Sequence, residues 1–347
     1  MSVRLPRAAA SASAPHVLEA ARGALARGHA MDAVVAGVFA AAAVSPSVLF
    51  GPVAILVGGA GSGLFAIDGR VQQAGKGLPR PRGFLADEEI PKGARVGVPA
   101  LVAALGAALA SFGSLPLPRV LAKAIDLSRG VSKSRMALFR RIAELGPRAT
   151  AEARVAEELL LVAGRGEGGL LSKRDLDEVR PRVVRAAVRE VGSPFGARRV
   201  FTVPWGGDAV REEGQPVVDA SRTRVVAAAD ARGQMAVACY EVADEGLVVE
   251  ALGLVFPLVA SPVLRGRTRV RPGVPCTASA PIALAEAEGL LDLAAGGAGN
   301  ANAERALGAW LAMATEQGSP LAAYDEPPPG VLALARVGQG VKVLGSG

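Results

Sequence analysis

Thr223-Arg224-Val225-Val226-Ala227-Ala228-Ala229 and Met235-Ala236-Val237-Ala238-Cys239-Tyr240-Glu241-Val242 flank the tetrapeptide Asp230-Ala231-Arg232-Gly233. Both flanks are short apolar runs, and the link between them is turn-forming. Asp can hydrogen-bond its own backbone, and Gly accepts a positive φ. The stretch therefore reads as a β-hairpin of two buried strands that opens on a threonine.

Working downstream, Leu247–Val255, Arg265–Val270, Ile282–Ala287 and Leu290–Ala294 also read as strands. One late helix, Ala303 to Thr315, carries Leu307, Trp310 and Leu311 at helical spacing, a stripe that belongs in a core. Upstream, Val200–Val203 is strand-like. The rest of that half is mostly helical: His16–Arg27, Met31–Val44, Ala100–Phe112, Leu117–Ser128, Lys133–Leu145 and Thr150–Val162, with Ser172 placed to cap a short helix that has Asp175 in its first turn. Short strands are expected at Val53–Val57, Leu64–Ile67 and Ala94–Val98. Helices outside a pair of antiparallel sheets fit this order, an α+β class.

Composition narrows the function. Half of the 347 residues are apolar but only 4% are aromatic, so the core must be built from Ala, Val and Leu. The formal charge is +7, spread mainly over arginines. The densest cluster, Arg265, Arg267, Arg269 and Arg271, would share one face of a strand. No aromatic residues interleave with it for base stacking, so it reads as a solvated face and no nucleic-acid partner is expected. The apolar run from Ala33 to Ile67 is broken at Ser45-Pro46-Ser47 and Gly51-Pro52, and Ala33–Val44 is too short to span a bilayer. Met1–Ala14 lacks an apolar signal core, so the expectation is a cytoplasmic protein that does not enter a membrane.

Cys239 and Cys276 fit no metal spacing, and the only histidines are His16 and His29. A Ser-His-Asp triad or a zinc site is hard to assemble from these, and neither a metal nor a cofactor is expected. Gly58-Gly59-Ala60-Gly61-Ser62-Gly63 lacks the Lys and the helix of a phosphate loop and reads as a tight turn between buried strands. One kind of catalysis needs no histidine. A threonine at a newly made chain terminus carries its own base, an α-amino group whose pKa is about 7.7–8.0.

Several phrases in order resemble the gamma-glutamyltransferase family. They are Gly28-His29-Ala30-Met31-Asp32-Ala33-Val34-Val35-Ala36, Ile67-Asp68-Gly69-Arg70, Val96-Gly97-Val98-Pro99, Gly168-Gly169-Leu170-Leu171-Ser172-Lys173-Arg174-Asp175-Leu176, and Pro275 to Pro281 with Gly296-Gly297-Ala298-Gly299. The likeness runs from about residue 14 to residue 320 in the family's order. It implies the αββα sandwich of the N-terminal nucleophile hydrolases. Residues 1–222 would be a large-subunit-like segment and 223–347 a small-subunit-like one, together forming one globular domain.

The resemblance also implies roles. Thr223-Arg224-Val225-Val226-Ala227-Ala228-Ala229-Asp230 is similar to the family phrase whose first Thr is the nucleophile, freed by self-cleavage; scission would fall between Arg222 and Thr223. Arg70 stands where the family binds a substrate carboxylate, a task suited to a planar guanidinium fork. Thr277 matches the first of two family serines that contact the same carboxylate. Gly296, Gly297 and Gly299 are candidates for the backbone N–H groups that face the oxyanion, and the sequence leaves open which of them serve. There are departures too. The second Thr is Arg224, the next His is Val225, a supporting Thr is Glu241, and an Asn that helps bind the substrate's amino group is Ala243. The family's Asp for that group has no counterpart between Gly246 and Val263, although Asp244 and Glu245 lie nearby. The expected partner is a small gamma-glutamyl or related carboxylate-bearing amide. Two functions remain open, a self-processing amidohydrolase or acyltransferase and an inactive relative that binds or supports. The sequence does not address oligomeric state.

Overall fold

The computed structural model describes residues 5–85, 89–193, 196–205, 223–299, 303–316 and 326–345. In chain order the first part contains β1 (Ala9–Ala12), α1 (Pro15–Leu25), α2 (Ala30–Val44), β2 (Val53–Gly58), β3 (Phe65–Gly69), α3 (Leu101–Phe112), α4 (Leu117–Arg129), α5 (Lys133–Leu145), α6 (Ala153–Ala163), α7 (Lys173–Asp177), β4 (Arg182–Arg185), β5 (Ala187–Ser193) and β6 (Gly196–Thr202). Then come β7 (Thr223–Ala229), β8 (Met235–Glu241), β9 (Leu247–Val249), β10 (Leu254–Phe256), β11 (Ile282–Ala287), β12 (Leu290–Gly297), α8 (Ala303–Glu316), β13 (Val331–Val337) and β14 (Gly340–Leu344).

The strands form two six-stranded sheets, ordered β1-β7-β8-β2-β3-β4 and β14-β13-β12-β11-β6-β5, beside a small β9–β10 ribbon. Neighbouring strands pair antiparallel throughout both large sheets. The period of two along β7 divides its side chains between two cores. Val226 and Ala228 face the helical layer, packed with Phe39, Leu101 and Leu121, while Val225, Ala227 and Ala229 face the second sheet, packed with Ile282, Leu284 and Leu334. On the far side of that sheet Leu307, Trp310 and Leu311 of α8 cover Leu293, Ala295 and Ala333. The result is helix, sheet, sheet, helix.

Helix α2 is apolar all round because it is buried all round: Ala30 to Ala43 are all buried. Its N-terminus is held by Asp32, which is fully buried. The carboxylate accepts from His29 N (2.6 Å), Ser114 Oγ (2.8 Å) and Leu115 N (3.0 Å). Asp175 likewise accepts from Gly75 N and Lys76 N (both 2.9 Å) and from Ser172 Oγ (2.8 Å), inside the capping box that opens α7. Two of the acids in the resemblance phrases are thus structural clamps.

Some expectations are corrected. Arg265–Val270 is not a strand. Phe84 bridges to Leu264 beside it, Gly266 turns the chain at φ +77°, and the arginines do not line one strand face. Ala94–Val98 is a 3-10 turn followed by a single bridge at Val98. Leu247–Val255 is broken at Gly253 (φ +64°) into the β9–β10 ribbon. Strands β1, β4, β5, β13 and β14 have no expectation to match. Both cysteines are buried free thiols. No helix among the described residues is long and apolar enough to cross a membrane.

Candidate active site

Thr223 is the first residue of β7 and is 1% exposed. By the same alternation that sends Val225 inward, its side chain lies on the face between the sheets. The hydroxyl Oγ1 is buried and has no hydrogen-bond partner among the described residues. A buried polar atom left this way is uncommon and calls for an explanation. The carbonyl of Thr223 is well held, accepting from Gly299 N (3.0 Å) and from the Arg224 guanidinium (3.0 Å). Strand β1 pairs with β7 only as far as Val226, after which Ser13 Oγ accepts from Val225 N (2.8 Å) and Gly299 takes over the edge beside Thr223.

Across the sheet, Thr223 pairs in register with Glu241 of β8, which is buried. Val53 of β2 pairs with both Tyr240 and Gly69, so Arg70, just beyond Gly69, lies in the same end row as Glu241 and Thr223. Three strand spacings separate Arg70 from Thr223 along that row, roughly 14 Å. The Arg70 fork meets Asp68 with Nε (3.0 Å) and Nη2 (2.9 Å), and its guanidinium lies 5.1 Å from the centre of the Trp205 ring. Arg70, Trp205, Tyr240, Glu241 and Ala278 line one narrow crevice that is too tight as it stands to admit a water molecule.

The second sheet closes this end. Cys276 N donates to Val71 O (2.7 Å), which ties the segment containing Thr277 and Ala278 to the strand end at Arg70. Burial pushes the Cys276 thiol up to about 12, against the opposing pull of Arg70. It also raises the Tyr240 phenol, against Arg224. Gly296 of β12 sits under β7, and a Cβ there would come within 2.6 Å of Val225. Gly297 N donates to Pro281 O (2.8 Å), and Gly299 N is engaged by the Thr223 carbonyl.

The sequence-derived site residues thus gather at one end of the sandwich, with Thr223, Gly296, Gly297 and Gly299 at the β7 edge and Arg70 with Thr277 farther along. Arg222 lies outside the described residues, and so does its half of the expected scission bond. Asp68 was not singled out as a partner of Arg70, although period two along β3, which sets the two on one face, is a signal that could have found it. Trp205 and Ser13 were not legible, since each reaches the site from a distant strand.

No family model matches the chain, and no curated protein matches it in sequence. Its likeness is to solved structures. That of LmbA2991HD superposes on 99% of this chain and 97% of its own length with a TM-score of 0.72 at 15% identity. A cephalosporin acylase from Bacillus halodurans superposes on 100% of this chain and 98% of its own, with a TM-score of 0.70 at 15% identity. This chain has the αββα fold of the N-terminal nucleophile hydrolases. A gamma-glutamyltranspeptidase from Helicobacter pylori aligns with 58% of this chain and 70% of its own, at 22% identity and a TM-score of 0.46. Within the N-terminal nucleophile fold of this chain, the Thr223 end of β7 is the candidate site.

Proposed function

We propose that the protein is a self-processing amidohydrolase or acyltransferase with Thr223 as its N-terminal nucleophile. The observation that carries the reading is the buried Thr223 hydroxyl, without a partner among the described residues, at the start of a central strand between the sheets. Attack of Oγ1 on the carbonyl carbon of Arg222 would exchange the peptide bond for an ester. Water would open the ester, leaving the Arg222 carboxylate and a free Thr223 α-amino group. That amine then takes the hydroxyl proton as Thr223 attacks a substrate amide; the amine product leaves, and water or an acceptor amine releases the acyl group. Arg70, held by Asp68, keeps the edge of its fork away from Asp68 for a substrate carboxylate. The family's amino-group acid has no counterpart in the sequence between Gly246 and Val263, so the pocket is proposed to take glutaryl and γ-glutamyl amides alike.

Intact-mass measurement tests the first half. Purified protein should resolve into residues 1–222 and 223–347, and Thr223→Ala should stay one chain. Wild-type protein that remains whole after long incubation would sink the catalytic reading. For the second half, a γ-glutamyl anilide and its glutaryl analogue should show similar kcat/KM, and a strong preference for the amine-bearing compound contradicts the proposal. One observation favours a second reading, an inactive relative with a binding or structural role: the N–H groups of Gly297 and Gly299 are already engaged internally. Absence of scission is the outcome expected of it.

A further inference from the structure

A roomier cavity than the one beside Arg70 lies away from Thr223. It encloses about 750 Å3 at the other end of the sandwich, roughly 20 Å along β7, where the hairpin turns of both sheets meet. The β2–β3 turn contributes Gly59 to Gly63, the β7–β8 turn Ala231 to Gly233, the β11–β12 turn Gly289 and the β13–β14 turn Gly338. The turns are glycine-rich, with Gly59, Gly61, Gly63, Gly233, Gly289 and Gly338 all lining the space. At Gly59 (φ +85°) a Cβ would lie 2.1 Å from the Gly233 carbonyl, so only glycine lets the two turns touch. The volume falls in the range of small-ligand sites, about 300–1,000 Å3.

Its chemistry comes from Arg7, Arg232 and Arg336. Each donates to a neutral acceptor: Arg7 to Gln339 Oε1 (3.4 Å), Arg232 to His29 Nε2 (2.7 Å) and Arg336 to the Asp230 carbonyl (3.1 Å). None of the three forms an ion pair among the described residues. Arg336 is half-buried, and its Nε is a buried donor without an acceptor among the described residues. Two acids close to the cavity, Glu286 and Asp230, are engaged elsewhere. Glu286 is paired with Arg199, and the Asp230 carboxylate accepts the amides of Ala30, Arg232 and Gln234.

We propose that this cavity is a binding site for a small, multiply charged anion, phosphate- or polycarboxylate-bearing, held by the guanidinium groups of Arg7, Arg232 and Arg336. Guanidinium forks meet either headgroup bidentately. The site is independent of the chemistry at Thr223. Calorimetric titration of the full chain with pyrophosphate, and separately with citrate, at constant ionic strength set by chloride, tests it. Saturable one-to-one binding of at least one probe is expected, and the tighter probe identifies the headgroup class. Arg336→Gln should weaken binding about tenfold, the effect of losing a charge-assisted hydrogen bond. Arg7 and Arg232 are exposed, so Arg7→Gln and Arg232→Gln report on binding without threatening the fold, and each should weaken it severalfold. Thr223→Ala should bind as wild type. No saturable binding of either probe, or binding that Arg7→Gln and Arg232→Gln both leave unchanged, overturns the proposal.

Discussion

At the scale of single residues, the pair that matters most is Thr223 and Glu241. They face each other in register across β7 and β8, and both are buried. A carboxylate in that position favours the charged form of any amine created at Thr223. The free-amine base would therefore appear only at a higher pH than the ordinary α-amino value. In self-cleaved protein Glu241→Gln should shift the rising limb of the kcat/KM profile toward lower pH, and a limb that stays put or moves upward would remove Glu241 from the site. Arg70 is constrained as well as charged. Asp68 takes one edge of its fork and Trp205 lies over the guanidinium, so the remaining edge has a defined direction.

At the scale of elements, helix α2 is the hub of the outer layer. It packs against α1, α4, β7 and β8, and its C-terminus is closed from outside. Arg135 of α5 donates from Nη1 to Ala43 O (2.8 Å) and Val44 O (3.1 Å), and from Nη2 to Gly253 O (2.7 Å). A cation there satisfies carbonyls that the helix cannot, and it opposes the negative end of the helix dipole. Arg135→Leu strands those carbonyls and should cost about 2–4 kcal/mol in urea unfolding. Arg129→Leu, on the exposed end of α4, should stay within about 0.5 kcal/mol. Equal effects from the two would show that the cap is not what holds α2.

At the scale of the molecule, both sheets mix strands from either side of residue 223. In the first, β7 and β8 sit between β1 and β2; in the second, β11 pairs with β6. Scission at Thr223 would cut the chain without cutting a sheet. The two fragments should therefore elute as one native species at the position of the uncut protein in size-exclusion chromatography, and separate only in denaturant. Dissociation under native conditions would mean that the pairings β1–β7, β2–β8 and β6–β11 do not hold the halves together.

The elements that the chain announced in advance are those with a strong local period. Helices α2, α3, α4 and α5, and the hairpin β7–β8, lie within a residue or so of their expected bounds, because apolar spacing and turn residues act over a few positions. Ser172 as a cap and Asp230 as a turn-former are local hydrogen-bonding choices and were equally legible. Strands β1, β4 and β5 were not, since Ala-rich or Arg-rich segments such as Ala9–Ala12 and Arg182–Arg185 become strands only when β7 or β3 offers an edge. Arg265–Val270 shows the converse, an alternating pattern with no edge to join. The same division runs through the site. The sequence by itself, through its resemblance, singled out Thr223, Arg70 and the glycines of β12. Only the tertiary structure decided that the Thr223 hydroxyl is buried opposite Glu241, that Trp205 lies over Arg70, and that four hairpin turns leave an arginine-lined cavity at the far end. These depend on which strands become neighbours, and that follows from packing between distant segments, which no local pattern encodes.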